Sequence, residues 1–427
     1  MSTRAAQTGR GMDVEWVRAQ FPSLAKRVNG QAAAFMDAPA GTQVPQQVMD
    51  AVRDYFLDAN ANTRGEFETS RKSDAIIAGA HAAMADFLHG DADEVYFGPN
   101  MTTLTFALAR AIGRELEAGD EIVVTTLDHD ANVAPWKALE EKGVVVRHVD
   151  SHVEDCTLDM EDLRRKITPR TKLVAVGYAS NAVGTINPVE EIIALAHEAG
   201  ALAFVDAVHY APHNAIDVRA LDCDFLACSP YKFFGPHMGC MYGKREHLLR
   251  LRPYKVRPAP DSLPERWETG TQTHEGLAGV TAAVDYLAEV GRVCGGAAEG
   301  ATRREAIFRA YRVIHPYELK LAGQLLAGLM WIPKLEFFGI REIERFSERC
   351  PTVAVRIGEH LPIEMARFLG ERGIFTWDGN YYALNLTERL GVESRGGLLR
   401  IGVVHYNTPE EVDRVVEGLR EFAAKQR

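Results

Sequence analysis

The stretch that decides the fold reads FVDAVHYAPH at residues 204–213 and DFLACSPYKFFGPHMGCMYG at residues 224–243. An apolar run that starts at Ala201 leads into the first half, and another that starts at Phe225 lies in the second. Each run ends in a polar residue, Asp206 in the first half and Ser229 in the second, and Lys232 follows soon after Ser229. Such runs predict two buried strands, with an acid and an amine placed just beyond their ends.

The alternation of strand and helix extends to both sides of this stretch. The sequence predicts strands at residues 121–126, 144–149, 172–177, 201–207, 224–229 and 239–243. It predicts helices at residues 131–142, which contain Pro135, and at residues 190–200, which end at a glycine. Strands separated by crossover helices predict an α/β fold whose mostly parallel sheet is covered on both faces.

Polar residues follow several of the predicted strands. They are Asp128 with His129, Ser180 with Asn181, Asp206 with His209, and Ser229 with Lys232. Ligands of open α/β sheets bind beyond the carboxyl ends of the strands. We therefore expect these side chains to meet at one edge of the sheet and to form the functional site.

From about residue 297 the pattern changes to a smaller α+β arrangement. A long arginine-rich helical stretch comes first. Strands are then predicted at residues 351–357 and 397–406, with a helix near 363–372 between them. Thr408 as N-cap and Pro409 at the first helical position predict a final helix.

Composition narrows the class of protein. The chain has 427 residues and a net charge of −11, which disfavours nucleic acid or an anionic membrane as the main partner. No apolar run approaches the roughly 18 residues of a membrane span, and residues 1–16 have no apolar signal region. The six scattered cysteines form no C-x-x-C pair. These features favour a cytoplasmic enzyme.

Lys232, Asp206 and Ser229 are the parts that pyridoxal phosphate chemistry requires. A lysine amine forms a Schiff base with the cofactor's aldehyde. A carboxylate keeps the pyridine nitrogen protonated, so that the ring accepts electrons from the substrate carbon. Hydroxyl groups such as those of Ser229 and Tyr231 can hold the phosphate.

With these motifs the chain resembles the class V aminotransferase family of fold type I, and within it the cysteine desulfurase and selenocysteine lyase group. The likeness runs from FMDAPAGTQVP at residue 35 to YNTPEEVDRVVEGL at residue 406. It implies a large domain with a mostly parallel sheet and a small C-terminal α+β domain. The implied boundaries are 26–295 for the large domain, with 1–25 and 296–427 forming the small one.

The resemblance assigns roles around the cofactor ring. DHDANVAPW places His129 on the pyridine ring, and SNAVGTINP places Asn181 at the substrate or the phenolic oxygen. VDAVH gives Asp206 the pyridine nitrogen and His209 the phenolic oxygen, and SPYK makes Lys232 the Schiff-base lysine.

Three further motifs are assigned to the phosphate and the substrate. GPNMTTLT departs from the usual phosphate loop, with Thr102 as its remaining donor. ETGT implies that Thr271 reaches the phosphate of a partner subunit, and hence a homodimer with its active site at the interface. LLRIGVVHYNT gives Arg400 the substrate α-carboxylate, with Arg395 as a competitor.

One departure bears on the reaction. Desulfurases carry a nucleophilic cysteine in a context such as G-H-H-C-A, whereas GIFTWDGNYYALN at residues 373–385 places Tyr382 there. No cysteine follows Cys350, so the thiolate of the persulfide mechanism is missing. Trp377, Tyr381 and Tyr382 either contact the substrate or pack under the loop.

A rival hypothesis is a zinc site. Its ligands would be His209, His213, Cys223, Cys228 and His237. The cysteine spacing is not that of a zinc knuckle, and Cys223 precedes an apolar strand. We therefore predict no metal.

The sequence thus predicts a pyridoxal 5'-phosphate enzyme acting on a small-molecule amino acid, with no nucleic-acid or membrane partner. Lys232, His129 and Asp206 are its predicted catalytic residues. A C–S or C–Se lyase is the first expectation by resemblance, and an epimerase or aminotransferase is the second. A pseudoenzyme that only holds the cofactor is the alternative of another class.

Overall fold

A computed structural model describes residues 11–425 of the chain. Residues 1–10 of the predicted small domain lie outside that range, and the predicted domain boundaries stay predictions. The strands are β1 (Arg27–Val28), β2 (Gln31–Ala32), β3 (Ala34–Phe35), β4 (Val95–Gly98), β5 (Glu121–Thr125), β6 (Val145–Val149), β7 (Thr171–Gly177), β8 (Leu202–Asp206), β9 (Phe225–Cys228), β10 (Gly239–Gly243), β11 (Leu335–Phe338), β12 (Thr352–Ile357), β13 (Ile374–Phe375), β14 (Trp377–Gly379) and β15 (Leu398–Gly402).

Helices cover both sheets. They are α1 (Val14–Ala19), α2 (Gln46–Asp58), α3 (Glu68–Leu88), α4 (Met101–Ile112), α5 (Ala134–Lys137), α6 (Met160–Lys166), α7 (Val189–Glu198), α8 (Val218–Leu221), α9 (Arg245–Arg250), α10 (His274–Val293), α11 (Arg303–Leu329), α12 (Pro362–Gly370), α13 (Leu384–Arg389) and α14 (Pro409–Lys425). Over residues 11–425, none of these helices has the length and apolar character that a bilayer crossing requires.

Seven strands form the central sheet, in the order β4-β10-β9-β8-β7-β5-β6. The pairs from β6 to β9 are all parallel, and β10 is antiparallel to both of its neighbours. The predicted α/β fold with a mostly parallel sheet is therefore confirmed. β10 reverses direction because residues 229–238, which join it to β9, are too few for a crossover helix.

Both faces of the central sheet are buried. Alternate residues of β7 enter two different core clusters, with Val174 and Val176 in one and Leu173 and Ala175 in the other. This double burial explains why the strands appear in the sequence as continuous apolar runs rather than as alternating ones.

The prediction of a single helix at residues 131–142 is wrong. The structure has a 3-10 turn at Asp130–Asn132, the short helix α5 and a second 3-10 turn at Ala138–Lys142. Pro135 lies in the first turn of α5. Because proline has no N–H and its ring clashes with the preceding turn, Pro135 favours the start of a helix over its interior, which agrees with its place in α5.

Four strands form the second sheet, which is antiparallel and has the order β11-β12-β15-β14. The strand predicted at residues 397–406 ends at Gly402. A Cβ on Gly402 would stand 2.2 Å from Cγ of Pro39, so the chain passes very close to the segment after β3. Beyond that point residues 403–406 leave the sheet in a turn, where Asn407 accepts a hydrogen bond from the Val404 N–H.

The long helices α10 and α11 approach each other at a glycine. A Cβ placed on Gly291 of α10 would lie 1.8 Å from the carbonyl oxygen of Ala306 of α11. Only a residue without a side chain allows this separation, because the obstacle is main chain rather than a movable side chain.

We expect Gly291→Ala to lower the free energy of unfolding by about 1–3 kcal/mol or more, through overpacking between the two helices. Gly79→Ala in α3 is the matched control, since a Cβ there meets nothing within 4 Å. That variant should gain about 0.4–1 kcal/mol from reduced freedom of the unfolded chain. Urea unfolding of both proteins checks this. Equal stability of the two variants would contradict the tight helix contact.

Candidate active site

The polar ends of the strands meet in one cavity, of about 690 Å³. It lies between the carboxyl edge of the central sheet and the second sheet. The predicted site residues that line it are Thr102, His129, Asn181, Asp206, His209, Ser229, Tyr231, Lys232 and Arg400. The strand-end residues expected to converge therefore do so, apart from Ser180, which is buried and is not among the lining residues. Thr271, a predicted site residue, is exposed and lies outside this cavity.

Lys232 ends a single 3-10 turn, Pro230–Lys232, that follows β9. Its Nζ donates to the carbonyl oxygen of Pro39 and lies 4.8 Å from the centroid of the Tyr231 ring. Burial lowers the pKa of Lys232 to about 7, helped by Arg400 and opposed by Asp206. An amine with such a pKa is partly unprotonated at neutral pH, so it is available as a nucleophile or base.

Asp206 ends β8, and its Oδ1 accepts a hydrogen bond of 2.9 Å from the Val208 N–H. Burial raises its pKa to about 6, while the Val208 N–H and Lys232 act against the rise. The negative charge of a carboxylate so placed is under-compensated, because the group has lost its hydration without gaining an ion-pair partner. It therefore suits a cationic group such as a protonated pyridine nitrogen.

Asp128 is a second buried carboxylate at this edge; the sequence placed it among the strand-end residues but gave it no specific role. Its Oδ2 accepts a hydrogen bond of 2.7 Å from Oγ1 of Thr125. Burial raises its pKa to about 7, and Asp206 adds to the rise.

His129 and His209 are both buried neutral rings. His129 Nδ1 accepts a hydrogen bond of 3.0 Å from the Ala131 N–H, which leaves the proton of the neutral ring on Nε2. Burial, with Lys232 and Arg400, lowers the pKa of His129 to about 4. Burial also sets the pKa of His209 well below its usual value, and its Nε2 lies 3.0 Å from Oγ1 of Thr352. Neither ring adds a positive charge to the site at neutral pH.

Arg400 projects into the cavity from β15. Its Nη1 donates a hydrogen bond of 2.7 Å to the carbonyl oxygen of Asn181, and its guanidinium lies 4.1 Å from the centroid of the Tyr381 ring. Burial lowers its pKa to about 10. No carboxylate within residues 11–425 forms an ion pair with it, so donors remain for an anion. Arg395, the competitor, instead donates to Gly358 and Glu359.

Asn181 couples the two sides of the cavity. Its Nδ2 donates a hydrogen bond of 2.8 Å to the Tyr381 carbonyl oxygen. Its Oδ1 is buried and has no hydrogen-bond partner in the described part of the chain. A buried acceptor left without a donor is costly, and a ligand in this cavity could supply the missing hydrogen.

The far end of the cavity suits a phosphate. Asn100, Met101 and Thr102 line it at the start of α4, where main-chain N–H groups have no partner within the helix. Asn100 Oδ1 accepts a hydrogen bond of 2.8 Å from the Thr103 N–H. With Asp206, Arg400 and the free Asn181 Oδ1 as its other polar groups, the cavity as a whole fits a ligand that has a phosphate, a ring nitrogen and an attached amino acid.

The loop at residues 380–382 is a feature that sequence reasoning missed. Tyr381 and Tyr382 have φ values of 56° and 61°, in the left-handed region that non-glycine residues seldom adopt. Asn380 holds the turn, since its Oδ1 accepts a hydrogen bond of 3.0 Å from the Tyr382 N–H. Tyr381 also lines the cavity, but only 9% of its surface is exposed and its ring packs against the Arg400 guanidinium.

The five-residue zinc set does not assemble. Within the described residues, the group whose ligand atoms gather to within 4.8 Å is His209, His213 and Cys350. Burial raises the pKa of the Cys350 thiol. The buried Arg349 beside it and Arg400 nearby add positive charge, which opposes a dication at that point.

Comparisons with known proteins agree with this geometry. A model of the aminotransferase class-V family matches residues 34–302 and 309–415. The chain is 32% identical over 424 residues to the cysteine desulfurase of Pectobacterium atrosepticum, covering 95% of this chain and 97% of the relative. It is 34% identical over 424 residues to that of Enterobacter sp. strain 638, with the same coverage of 95% and 97%.

Solved structures give the same result. The apo structure of a cysteine desulfurase from Thermococcus onnurineus superposes with a TM-score of 0.86 at 26% identity, covering 98% of this chain and 100% of the other. A cysteine desulfurase from Escherichia coli superposes with a TM-score of 0.82 at 26% identity, covering 97% and 99%.

The pKa of Lys232 gives a prediction for the protein freed of any cofactor. Labelling of Lys232 by an amine-reactive reagent should be half-maximal near pH 7, rather than near the value of about 10.4 of an ordinary lysine. Because Asp206 raises the pKa of Lys232, Asp206→Asn should move the midpoint to lower pH. Peptide mass spectrometry across a pH series measures both.

Asp93→Asn, a substitution at a surface ion pair with Arg245, is the control and should leave the midpoint unchanged. A midpoint near that of free lysine, or an upward shift in Asp206→Asn, would show that Lys232 is not in the environment described.

Proposed function

We propose that this chain, which belongs to the aminotransferase class-V family of pyridoxal-phosphate-dependent enzymes, binds pyridoxal 5'-phosphate on Lys232. It then acts at the α-carbon of an amino acid. One observation carries the proposal. A lysine whose pKa is near 7 shares a buried cavity with an under-compensated carboxylate, Asp206, and an arginine without an ion-pair partner, Arg400. The cofactor, when bound, supplies an electron-accepting ring next to the substrate carbon.

The side chains divide the work by position. Lys232 would hold the cofactor through its Nζ, and the same amine would take up or return the α-proton of the substrate. Asp206 keeps a proton on the ring nitrogen, and the neutral His129 covers the ring face. His209 holds the phenolic oxygen, since it carries a proton without adding charge. Arg400 takes the α-carboxylate in a two-pronged contact.

Phosphate binding falls to groups at the other end of the cavity. Thr102, Ser229 and Tyr231 are its proposed donors within the chain. We propose that Thr271 completes the site from the partner subunit of a homodimer, which agrees with its exposed position outside the cavity of its own chain.

We also propose a cytoplasmic location, which agrees with six buried, unpaired cysteines.

For the reaction we propose C–S or C–Se bond cleavage that releases the side-chain group directly. The relatives are named cysteine desulfurases, but no cysteine is among the residues lining the cavity. Cys350 is fully buried and its thiol pKa is raised, so it is a poor sulfur acceptor. Tyr382 stands where the resemblance puts the nucleophile. An epimerase or aminotransferase would use the same proton transfer, and the released product distinguishes them.

Substrate binding tests the clamp. Arg400→Ala should weaken amino-acid binding by about 1.5–3 kcal/mol, roughly ten- to 150-fold, because a charge-assisted contact is lost. Titration of the cofactor absorbance with the amino acid measures it. Arg395→Ala is the matched control and should bind within about twofold of the parent protein, since its guanidinium is engaged by Gly358 and Glu359. The reverse ranking would move the role to Arg395.

Sulfur handling tests the reaction. After incubation with cysteine, mass spectrometry should find no stoichiometric persulfide on any of the six cysteines, because each is buried. Products should be sought as alanine, keto acid, sulfide and ammonia. A full equivalent of persulfide on Cys350, lost together with activity in Cys350→Ser, would mean that the protein is a desulfurase of the persulfide type.

A further inference from the structure

Two large aromatic side chains line the cavity on the Arg400 side and remain open to solvent. Trp377 is 51% exposed and Tyr382 is 72% exposed. Aromatic rings of this size are usually buried or engaged, so exposure beside a ligand cavity indicates a contact surface for a ligand.

The sheet register places Trp377 next to the carboxylate clamp. Trp377 of β14 and Arg400 of β15 are direct partners in the antiparallel pair. Opposite residues of such a pair share a face, with Cβ atoms about 4.5–5.5 Å apart. An amino acid whose carboxylate binds Arg400 therefore has its own side chain within reach of the indole. Asp378, the next residue of β14, pairs with the core residue Leu399 and also lines the cavity.

Tyr382 is held at the same edge by its main chain. Its carbonyl oxygen accepts a hydrogen bond of 2.7 Å from the Asp130 N–H. Its ring lies 5.4 Å from the His129 ring, at an angle of 31°. The loop thus fixes the phenol ring beside the cavity while leaving most of its surface free.

Part of the cavity wall on this side has no side chains. Gly379, Gly396 and Gly397 line it, and a Cβ on Gly397 would stand 2.2 Å from the Gly379 carbonyl oxygen. Glu393 also lines the cavity, but its oxygens accept hydrogen bonds from Asn380 Nδ2 at 3.0 Å and Thr387 Oγ1 at 2.6 Å. Its carboxylate is therefore committed to the loop, which leaves Trp377 and Tyr382 as the exposed aromatic surface on this side of the cavity.

We propose that Trp377 and Tyr382 form a side-chain subsite that selects amino acids with large apolar, preferably aromatic, side chains; this rests on the proposed function. Among C–S substrates these are cysteines that carry an apolar group on sulfur. The thiol of cysteine itself is too small to cover either ring, so it gains little from the subsite.

Cleavage of such a thioether needs no protein thiolate. Lys232 removes the α-proton, the Cβ–S bond breaks, and the sulfur leaves with the bonding pair and takes up a proton as a thiol. The three-carbon remainder takes up one water molecule and leaves as pyruvate and ammonium. No oxidant or reductant is required.

The test is a binding and turnover series on the holoenzyme. Cofactor absorbance is titrated with L-phenylalanine and L-alanine, and turnover is compared for S-benzyl-L-cysteine and S-methyl-L-cysteine. The parent protein should favour the larger member of each pair by about tenfold or more, as expected for an apolar pocket. Trp377→Ala should lose most of that preference and keep its alanine affinity within about twofold.

Tyr382→Ala should act in the same direction. Because alanine at a left-handed φ could disturb the loop, Tyr382→Asn is the second variant, since asparagine tolerates that conformation. Trp331→Ala, at an indole that is 81% exposed and does not line the cavity, is the control and should keep the preference.

The outcomes separate the two proposals. Equal binding of phenylalanine and alanine, or a preference unchanged in Trp377→Ala and both Tyr382 variants, overturns the subsite. A preference for phenylalanine that these variants abolish, without cleavage of either thioether, supports the subsite and removes the lyase reaction. If no amino acid alters the cofactor absorbance, the proposed function fails and the subsite with it.

Discussion

Burial of Lys232 and Asp206 in one cavity is the constraint on which the rest of the structure depends. Each group loses water, so its pKa moves toward neutrality, down for the amine and up for the acid. Their mutual attraction offsets part of the cost, while Arg400 opposes the charge on Lys232. A fold tolerates such a site only where rigid elements fix the groups, and here both lie at the ends of β8 and β9, in the middle of a sheet buried on both faces.

The second sheet completes the site from the opposite side. Arg400 of β15 donates to the main chain at Asn181, and Asn181 donates back to the main chain at Tyr381. Thr352 of β12 contacts His209. These contacts make the position of the carboxylate clamp depend on the central sheet. The same loop that supports Arg400 carries Tyr382, so the residue that the resemblance puts in place of the nucleophilic cysteine and the support of the proposed clamp belong to one segment.

The sequence predicts the central strands and the convergence of their polar ends, because both depend on local apolar runs and on a general rule for parallel sheets. It does not predict features set by contacts between distant segments. The strand predicted at residues 397–406 stops at Gly402, where Pro39 lies against the chain, and the left-handed pair Tyr381 and Tyr382 is held by Asn380 and Asp130. The reversal of direction at β10 follows from the short connection between β9 and β10, and the pattern of strands alone does not take the length of that connection into account.

The most direct test of this account is reduction of the holoenzyme with borohydride, followed by peptide mapping. The central claim is that Lys232, whose pKa burial lowers to about 7, carries the cofactor at the end of β9. We expect one cofactor adduct per chain, located on Lys232 and absent from Lys232→Ala. An adduct on another lysine, or the same amount of adduct in Lys232→Ala, would contradict the account.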